Sequence, residues 1–248
     1  MITAEHIRDY EEKGYFVLES VIPQNHLAVL RSECDRYVGL LEAEMDRQSA
    51  DVVGINHRSR RYFIANRYKD SPHLAKFIFS DLMAEICRAT LGDTAYLFHE
   101  QFVVKAAEKG MKFAWHQDSG YVGHPHKPYL TCWCPLDDVT IENGTVYMLP
   151  YDRAGTRRMT QHMRESETND QVGYFGEDPG EPVIVPAGSI ACFSSVCFHR
   201  SGANTTQKIR RVYLPQYSSE IITHPDSDKP WGLAEPFLRA GMNVAAVQ

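Results

Sequence analysis

A histidine and an aspartate stand two residues apart in residues 114–121, which read AWHQDSGY. If this stretch is an extended strand, the side chains of His116 and Asp118 project from the same face, with their backbones about 6 to 7 Å apart. The imidazole and the carboxylate can then converge on one atom, and a metal ion is an atom that both bind. The pair alone is a weak signal, because a surface hydrogen bond is the commoner use of such a pair.

A second histidine, His199, follows 83 residues later in the sequence CFHRSGAN. Two neutral imidazoles and one carboxylate form a facial set of ligands that leaves three coordination positions open, as iron(II) oxygenases require. A structural zinc site closes its coordination shell instead. We therefore expect His116, Asp118 and His199 to be the metal ligands and the catalytic centre. A zinc hydrolase with the same three ligands remains an alternative.

An arginine, Arg210, lies eleven residues beyond His199, after the turn-like sequence SGANTTQ. If His199 ends one strand and Arg210 enters its neighbour, the guanidinium group lies near the metal and can hold a carboxylate in a two-point contact. A keto acid such as 2-oxoglutarate would chelate iron at one end and present its other carboxylate to Arg210. A noncatalytic β-barrel that senses a small acid or a metal is a third possibility, but it leaves the arginine at this spacing unexplained.

The elements that must position these residues are mostly strands. From Tyr96 onward, short β-rich runs alternate with turn clusters such as EKG, TIENG and PAG, which predicts a sandwich or barrel of the jelly-roll type. Upstream, Thr3 is expected to cap a helix that ends near Lys13, and residues 15–18 read as a short strand. Apolar residues at helical spacing predict two further helices, over about 23–45 and 72–91.

The expected fold is mainly β with flanking helices (α+β), with the N-terminal helices packed outside the jelly roll. We expect a single domain over residues 1–248, with a helical part to about 94, a β core over about 95–220 and a C-terminal tail over about 221–248. The polar segment 151–182 is too long for a hairpin turn, and we expect either a lid or a surface excursion there.

Composition limits the partners that the chain can have. The formal charge is −6, and the small arginine cluster in residues 58–67 is expected to be a solvated or substrate-facing loop, so we expect no nucleic-acid partner. The N-terminus lacks the pattern of a targeting segment, no run of about 18 apolar residues occurs, and we expect no membrane partner and a cytoplasmic location. The six cysteines contain no CxxC pair, which favours reduced thiols.

Four motifs together resemble a known family. WHQD, PLDDVTIENG, PAGSIACF and HRSGANTTQKIR are similar in order and spacing to the phytanoyl-CoA dioxygenase family of iron(II)- and 2-oxoglutarate-dependent oxygenases, from about residue 5 to 218. The resemblance implies a double-stranded β-helix, the jelly roll of cupin-like proteins, with the metal at its open mouth. It also implies that His116, Asp118 and His199 bind iron and that Arg210 binds 2-oxoglutarate.

The same resemblance suggests further site residues. Lys105, Trp133, Ser201 and Gln101 occupy places that imply contact with the cosubstrate, and Gln117 is expected to face the same region. Tyr121 and Arg67 are candidates for substrate contact because of their positions in predicted loops. The chain departs from the family where it reads PYDR in residues 150–153, so polar contacts at that point are not carried over.

The function expected from these residues is that of a non-haem dioxygenase, an oxidoreductase that uses iron(II), 2-oxoglutarate and molecular oxygen. With the ligand carboxylate of Asp118 present, we expect hydroxylation, or another oxidation, of a small organic molecule with release of succinate and carbon dioxide. Nothing in the sequence specifies a CoA ester as the substrate.

Overall fold

The computed structural model describes residues 1–166 and 170–245, which form two main antiparallel sheets, a third sheet of two short strands, and helices that are mostly N-terminal. The helices are α1 (Ala4–Lys13), α2 (Gln24–Arg47), α3 (Pro72–Ile78), α4 (Asp81–Leu91), α5 (Ser119–Val122) and α6 (Tyr151–Ala154), with a 3-10 turn at Tyr68–Asp70. The first strands are β1 (Tyr15–Leu18), β2 (Val52–Val53), β3 (Asn56–His57), β4 (Arg61–Ala65), β5 (Ala95–Lys105), β6 (Phe113–His116), β7 (Leu130–Pro135) and β8 (Val146–Leu149). The later strands are β9 (Met163–Arg164), β10 (Gln171–Val172), β11 (Glu181–Pro182), β12 (Ile190–Ser194), β13 (Phe198–Ser201), β14 (Arg210–Ser218), β15 (Glu235–Arg239) and β16 (Met242–Asn243).

Strands distant in sequence are neighbours in both main sheets. The larger sheet has the order β1-β12-β7-β14-β5-β4-β3-β2, with β15 paired to β5, and the smaller sheet has the order β11-β8-β13-β6. The expected jelly-roll core with flanking helices is confirmed. The two sheets enclose one hydrophobic cluster and the cavity described below, whereas the other face of the larger sheet packs against the helices.

The N-terminal elements follow the sequence signals closely. The side chain of Thr3 accepts a hydrogen bond from the backbone of His6, and Gly14 ends α1 in the left-handed conformation with φ 91°. In α2, the residues at helical spacing are buried against the core: Leu27, Leu30, Cys34, Tyr37 and Met45. These two helices therefore begin and end close to the predicted residues.

The single helix predicted over 72–91 is wrong, because the chain forms two helices there. The backbone of Ser80 is extended, with ψ 163°, and its side chain accepts a hydrogen bond from the backbone N–H of Met83 at 3.4 Å. A serine that caps a new helix also interrupts the old one. The apolar residues keep their helical spacing across the break between the two helices. The spacing alone therefore gave no sign of the break.

A strand also forms in the first third of the chain, where a loop was expected. Residues Arg61–Ala65 pair with β5, so that Arg61 lies opposite Lys105 and is only 1% exposed. The prediction that Arg61 belongs to a solvated or substrate-facing loop is therefore wrong, because Arg61 lies in a strand and is buried. Arg61 does line the cavity. The C-terminal segment likewise contains β15 and β16 rather than only a tail. Among the described residues, no helix is both long and apolar enough to cross a membrane.

Replacement of Ser80 by alanine should lower the free energy of unfolding by about 1 kcal/mol, because the N-terminal N–H groups of α4 lose their side-chain acceptor. Chemical denaturation measures this change. Ser80→Thr keeps a hydroxyl group at the cap and should retain most of the stability. Equal stability of Ser80→Ala and the wild type would contradict this account of the break between α3 and α4.

Candidate active site

Two histidines and one aspartate meet at the open end between the sheets. The ligand atoms of His116, Asp118 and His199 all lie within 4.8 Å of one another, and they form the one such cluster of metal-ligating side chains found in residues 1–166 and 170–245. His116 and His199 lie directly opposite each other on β6 and β13, with ring centroids 4.1 Å apart. Strand pairing thus brings together two residues that are far apart in sequence.

Asp118 reaches the cluster differently from the way the sequence suggested. Strand β6 ends at His116, and the backbone of Asp118 is helical, with φ −58° and ψ −35°, at the start of α5. The prediction that both residues project from one extended strand is therefore wrong for Asp118. The helical turn still carries its carboxylate to the histidines, with Oδ1 3.4 Å from Nε2 of His199 and 3.9 Å from Nε2 of His116.

Both histidines present Nε2 to the shared centre. Nδ1 of His116 lies 2.8 Å from the carbonyl oxygen of Ala114, and Nδ1 of His199 lies 3.1 Å from that of Cys197. Because a carbonyl oxygen only accepts, each Nδ1 donates its proton, and Nε2 is the nitrogen that each ring directs to the shared centre. Burial and the neighbouring His199 lower the pKa of His116 to about 3, so this ring is a neutral ligand at physiological pH.

The carboxylate of Asp118 is held in its ionised form. Burial alone would raise its pKa, but the neighbouring His199 and His116 and a hydrogen bond from Thr131 lower it to about 2. Its second oxygen, Oδ2, accepts hydrogen bonds from Oγ1 of Thr131 at 2.6 Å and from Nε2 of Gln216 at 2.9 Å. Sequence reasoning missed both residues, since nothing in their local sequence marks them as neighbours of Asp118.

Arg210 lies on the opposite wall from His199. The expectation that their strands are neighbours is wrong, because β13 belongs to the smaller sheet and β14 to the larger one, and the two face each other across the cavity. Arg210 is 1% exposed, and one of its N–H groups donates to the carbonyl of Gly144 at 3.2 Å. Its Nε and Nη1 have no hydrogen-bond partner among the described residues. Burial lowers its pKa to about 10, so it stays a cation at neutral pH.

The unpartnered N–H groups of Arg210 indicate whether 2-oxoglutarate fits this cavity. A buried guanidinium group with unpaired N–H donors destabilises the folded protein unless an anion accepts hydrogen bonds from them. A carboxylate matches the planar geometry of the group. The histidine and carboxylate donor set matches that of non-haem iron(II) sites. The residues present therefore fit both iron(II) and a dicarboxylate cosubstrate.

The other expected cosubstrate neighbours lie around Arg210. Nζ of Lys105 donates to Oγ of Ser201 at 2.8 Å and to the carbonyl of Gly202. The guanidinium carbon of Arg210 lies 6.0 Å from the ring centroid of Trp133. Gln101, Trp133 and Ser201 line the cavity. Burial and the neighbouring Arg210 hold the pKa of Lys105 well below its usual value.

The cavity has a volume of about 570 Å³, within the usual range for small-molecule sites. Tyr121 lines it, and its ring stands edge-on to His116 at a centroid separation of 5.6 Å. Asp170, from the segment 151–182, also lines the cavity and pairs with the buried Arg61 at 3.1 Å. Part of that segment thus forms a cavity wall, while residues 167–169 lie outside the described residues.

Two candidate residues do not reach the cavity. The side-chain amide of Gln117 donates to the carbonyls of Arg158 and Val196, so it holds the chain behind the site. Arg67 is half-exposed and pairs with Asp70 at 3.7 Å, away from the cavity lining. The side chain of Gln117 points away because the strand preceding it alternates faces, and Arg67 lies just beyond the end of β4.

Comparison with known proteins supports the class that this fold and site define, a jelly-roll oxygenase with a mononuclear metal centre. The sequence model of the phytanoyl-CoA dioxygenase (PhyH) family matches residues 10–212. A probable alpha-ketoglutarate-dependent hypophosphite dioxygenase of Stutzerimonas stutzeri is 24% identical over 231 residues, which cover 87% of this chain and 78% of that protein. An ectoine dioxygenase of Bordetella bronchiseptica is 24% identical over 247 residues, covering 90% of this chain and 78% of the relative.

Solved structures share the fold. EctD from S. alaskensis, solved with 2-oxoglutarate and 5-hydroxyectoine, aligns with a TM-score of 0.73 at 21% identity. The alignment covers 100% of this chain and 89% of the EctD chain. The carbocyclase SnoK from nogalamycin biosynthesis aligns with a TM-score of 0.69 at 19% identity. The alignment covers 92% of this chain and 87% of the SnoK chain.

The chain belongs to the phytanoyl-CoA dioxygenase family. The expected enzyme class, an iron(II)- and 2-oxoglutarate-dependent dioxygenase that uses molecular oxygen, is confirmed.

Replacement of His116 by alanine should abolish stoichiometric iron(II) binding, because it removes one of three ligands. Metal analysis after anaerobic loading and desalting measures this loss. His124→Ala is the matched control, since both nitrogens of His124 are engaged with backbone carbonyls outside the cluster. Retention of one iron by His116→Ala would contradict the assignment of this ligand.

Proposed function

We propose that His116, Asp118 and His199 hold iron(II), that Arg210 binds the distal carboxylate of 2-oxoglutarate, and that the enzyme hydroxylates a small organic molecule. The observation that carries the proposal is the pairing of a two-histidine, one-carboxylate cluster with a buried arginine that lines the same cavity and has unpartnered donors. Iron(II) with its cosubstrate supplies the oxidising chemistry for an unactivated C–H bond. In the overall reaction, one oxygen atom of O₂ enters the substrate and the other enters succinate as 2-oxoglutarate loses carbon dioxide.

The chain's own residues bind, orient and exclude water. Arg210 fixes one end of the cosubstrate, Trp133 lines the same cavity, and Lys105 donates a hydrogen bond to Ser201 of the lining. The two histidines and Asp118 come from the smaller-sheet side of the cavity, so the cosubstrate lies between the sheets. The surrounding side chains limit the access of water to the reacting atoms, which protects the reaction from side products.

The charges of the cavity support an uncharged substrate. Five charged residues line it, and each has a role or a partner: Asp118 with the metal, Arg210 with the cosubstrate, the pair Arg61 and Asp170, and Arg200. The guanidinium group of Arg200 stacks on Tyr147 at 3.8 Å and donates to the carbonyl of Pro179. An anionic or cationic substrate would therefore lack a partner in the described lining, and a buried unpaired charge is costly.

The remaining wall is apolar and aromatic with a few neutral polar groups. Phe98, Tyr129 and Val122 form one packed cluster, and Trp231 and Leu233 adjoin it in the lining. Burial lowers the pKa of His99, so its ring is neutral and adds a hydrogen-bonding group without charge. This lining is suited to a ring-containing molecule with hydroxyl or carbonyl groups.

We also propose a cytoplasmic location. The six cysteines are all buried free thiols, which is the usual state in a reducing compartment.

Arg210→Met should weaken 2-oxoglutarate binding by about 30-fold or more, from a loss of roughly 2 kcal/mol or more in a buried charge pair. An anaerobic titration of the iron-loaded protein, followed by the visible metal-to-ligand charge-transfer band, measures the dissociation constant. Arg211→Met is the matched control, because the side chain of Arg211 pairs with Asp137 and Asp35 outside the cavity.

Equal 2-oxoglutarate affinities of the two variants would contradict the role of Arg210. If the wild type binds metal but shows no band with 2-oxoglutarate, a zinc hydrolase or a sensor would replace the dioxygenase assignment.

Cyclohexanol should enter the cavity more readily than cyclohexanecarboxylate or cyclohexylamine, because the latter two carry an unpaired charge into it. With cobalt(II) in the metal site and saturating 2-oxoglutarate, paramagnetic relaxation of the ring protons reports proximity to the metal, and zinc(II) gives the diamagnetic baseline. Stronger relaxation of either charged compound would contradict the uncharged substrate class. Absence of relaxation for all three would contradict a cavity open to ring-sized molecules.

A further inference from the structure

We infer that Thr131 and Gln216 form a positioning pair that fixes the carboxylate of Asp118, so that Oδ1 alone faces the two histidines. The inference rests on the proposed function, in which Asp118 is an iron ligand. It concerns the orientation of that ligand, which neither the sequence motif nor the histidine geometry determines.

The pair contacts one carboxylate oxygen with two donors. Oγ1 of Thr131 donates to Oδ2 of Asp118 at 2.6 Å, and Nε2 of Gln216 donates to the same oxygen at 2.9 Å. Nε2 of Gln216 also donates to Oγ1 of Thr131 at 3.0 Å. The three side chains therefore form a closed network in which the hydroxyl and the amide orient each other.

The other oxygen has a separate role. Oδ1 lies 3.4 Å from Nε2 of His199 and 3.9 Å from Nε2 of His116. With Oδ2 occupied by two donors, the carboxylate presents a single oxygen to the centre. A carboxylate that binds through one oxygen leaves an additional coordination position for the cosubstrate or oxygen.

Asp118 needs this support because its own backbone does not fix it within a strand. Strand β6 ends at His116, and Asp118 begins the four-residue helix α5. Thr131 and Gln216 instead lie directly opposite each other on β7 and β14, in the interior of the larger sheet. They are 0% and 5% exposed. Rigid neighbouring strands thus orient a ligand that stands just beyond the end of its own strand.

Loss of either donor frees Oδ2 and lets the carboxylate rotate. Hydrogen-bond partners that orient a metal ligand typically contribute about 10- to 100-fold to metal affinity. We expect Thr131→Val and Gln216→Met, which preserve shape but remove the donors, each to weaken iron(II) binding by about tenfold or more. Thr131→Ser keeps the hydroxyl and should bind iron(II) much as the wild type does.

The experiment measures iron(II) dissociation constants of the full-length protein under anaerobic conditions by competition with a chelating dye, without turnover. Thermal unfolding of the metal-free variants is recorded in parallel. If the role of Thr131 were purely structural, the unfolding temperature would fall, but Thr131→Val and Thr131→Ser would bind iron(II) with equal affinity. The double variant should lose less affinity than the product of the two single losses, since the donors share one network.

Wild-type iron affinity in folded Gln216→Met and Thr131→Val would overturn the inference. The proposed function would survive that result if His116→Ala, measured alongside, still fails to bind iron. Failure of the wild type itself to bind iron would instead overturn the proposed function. If Thr131→Val does not fold, Gln216→Met decides alone, because Gln216 borders the cavity and its replacement disturbs less packing.

Discussion

The pairing of β6 with β13 is the constraint on which the site depends. It places His116 opposite His199, and each imidazole then donates from Nδ1 to the carbonyl two residues earlier in the chain. The backbone therefore fixes the tautomer and the direction of both rings. The side chain of Asp118 is 13% exposed, and two hydrogen-bond donors stabilise its carboxylate beside the two histidines, where a cation would complete the set.

Across the cavity, the larger sheet carries a row of cations. Arg61, Lys105 and Arg210 lie directly opposite one another on the adjacent strands β4, β5 and β14, and all are essentially buried. Like charges in such positions destabilise a sheet. Asp170 pairs with Arg61, and burial together with Arg210 lowers the pKa of Lys105 well below its usual value. Arg210 is left with vacant donors, so the fold retains an electrostatic cost that a bound carboxylate relieves.

The features that could be predicted from the sequence are those that depend on residue type and short-range spacing. The cap at Thr3, the buried face of α2 and the cluster of His116, Asp118 and His199 follow from spacing and residue type. The sheet to which β13 belongs, the pairing of Arg61 with Lys105 and the contact of Gln216 with Asp118 depend on pairings between distant strands. Local spacing carries no information about such pairings, and therefore the arginine cluster was read as a loop and Gln216 was missed.

The cavity wall extends beyond the part of the chain that the family model matches. The match to the family covers residues 10–212, which include the metal-ligand cluster and Arg210. The cavity wall also includes Leu214, Trp231 and Leu233, which lie beyond that match. Leu214 is buried on the paired strand β14, whereas Trp231 is 39% exposed and precedes β15, so Trp231 can vary without disturbing the strands that carry the two histidines. The motifs that place the chain in its family therefore do not by themselves specify its substrate.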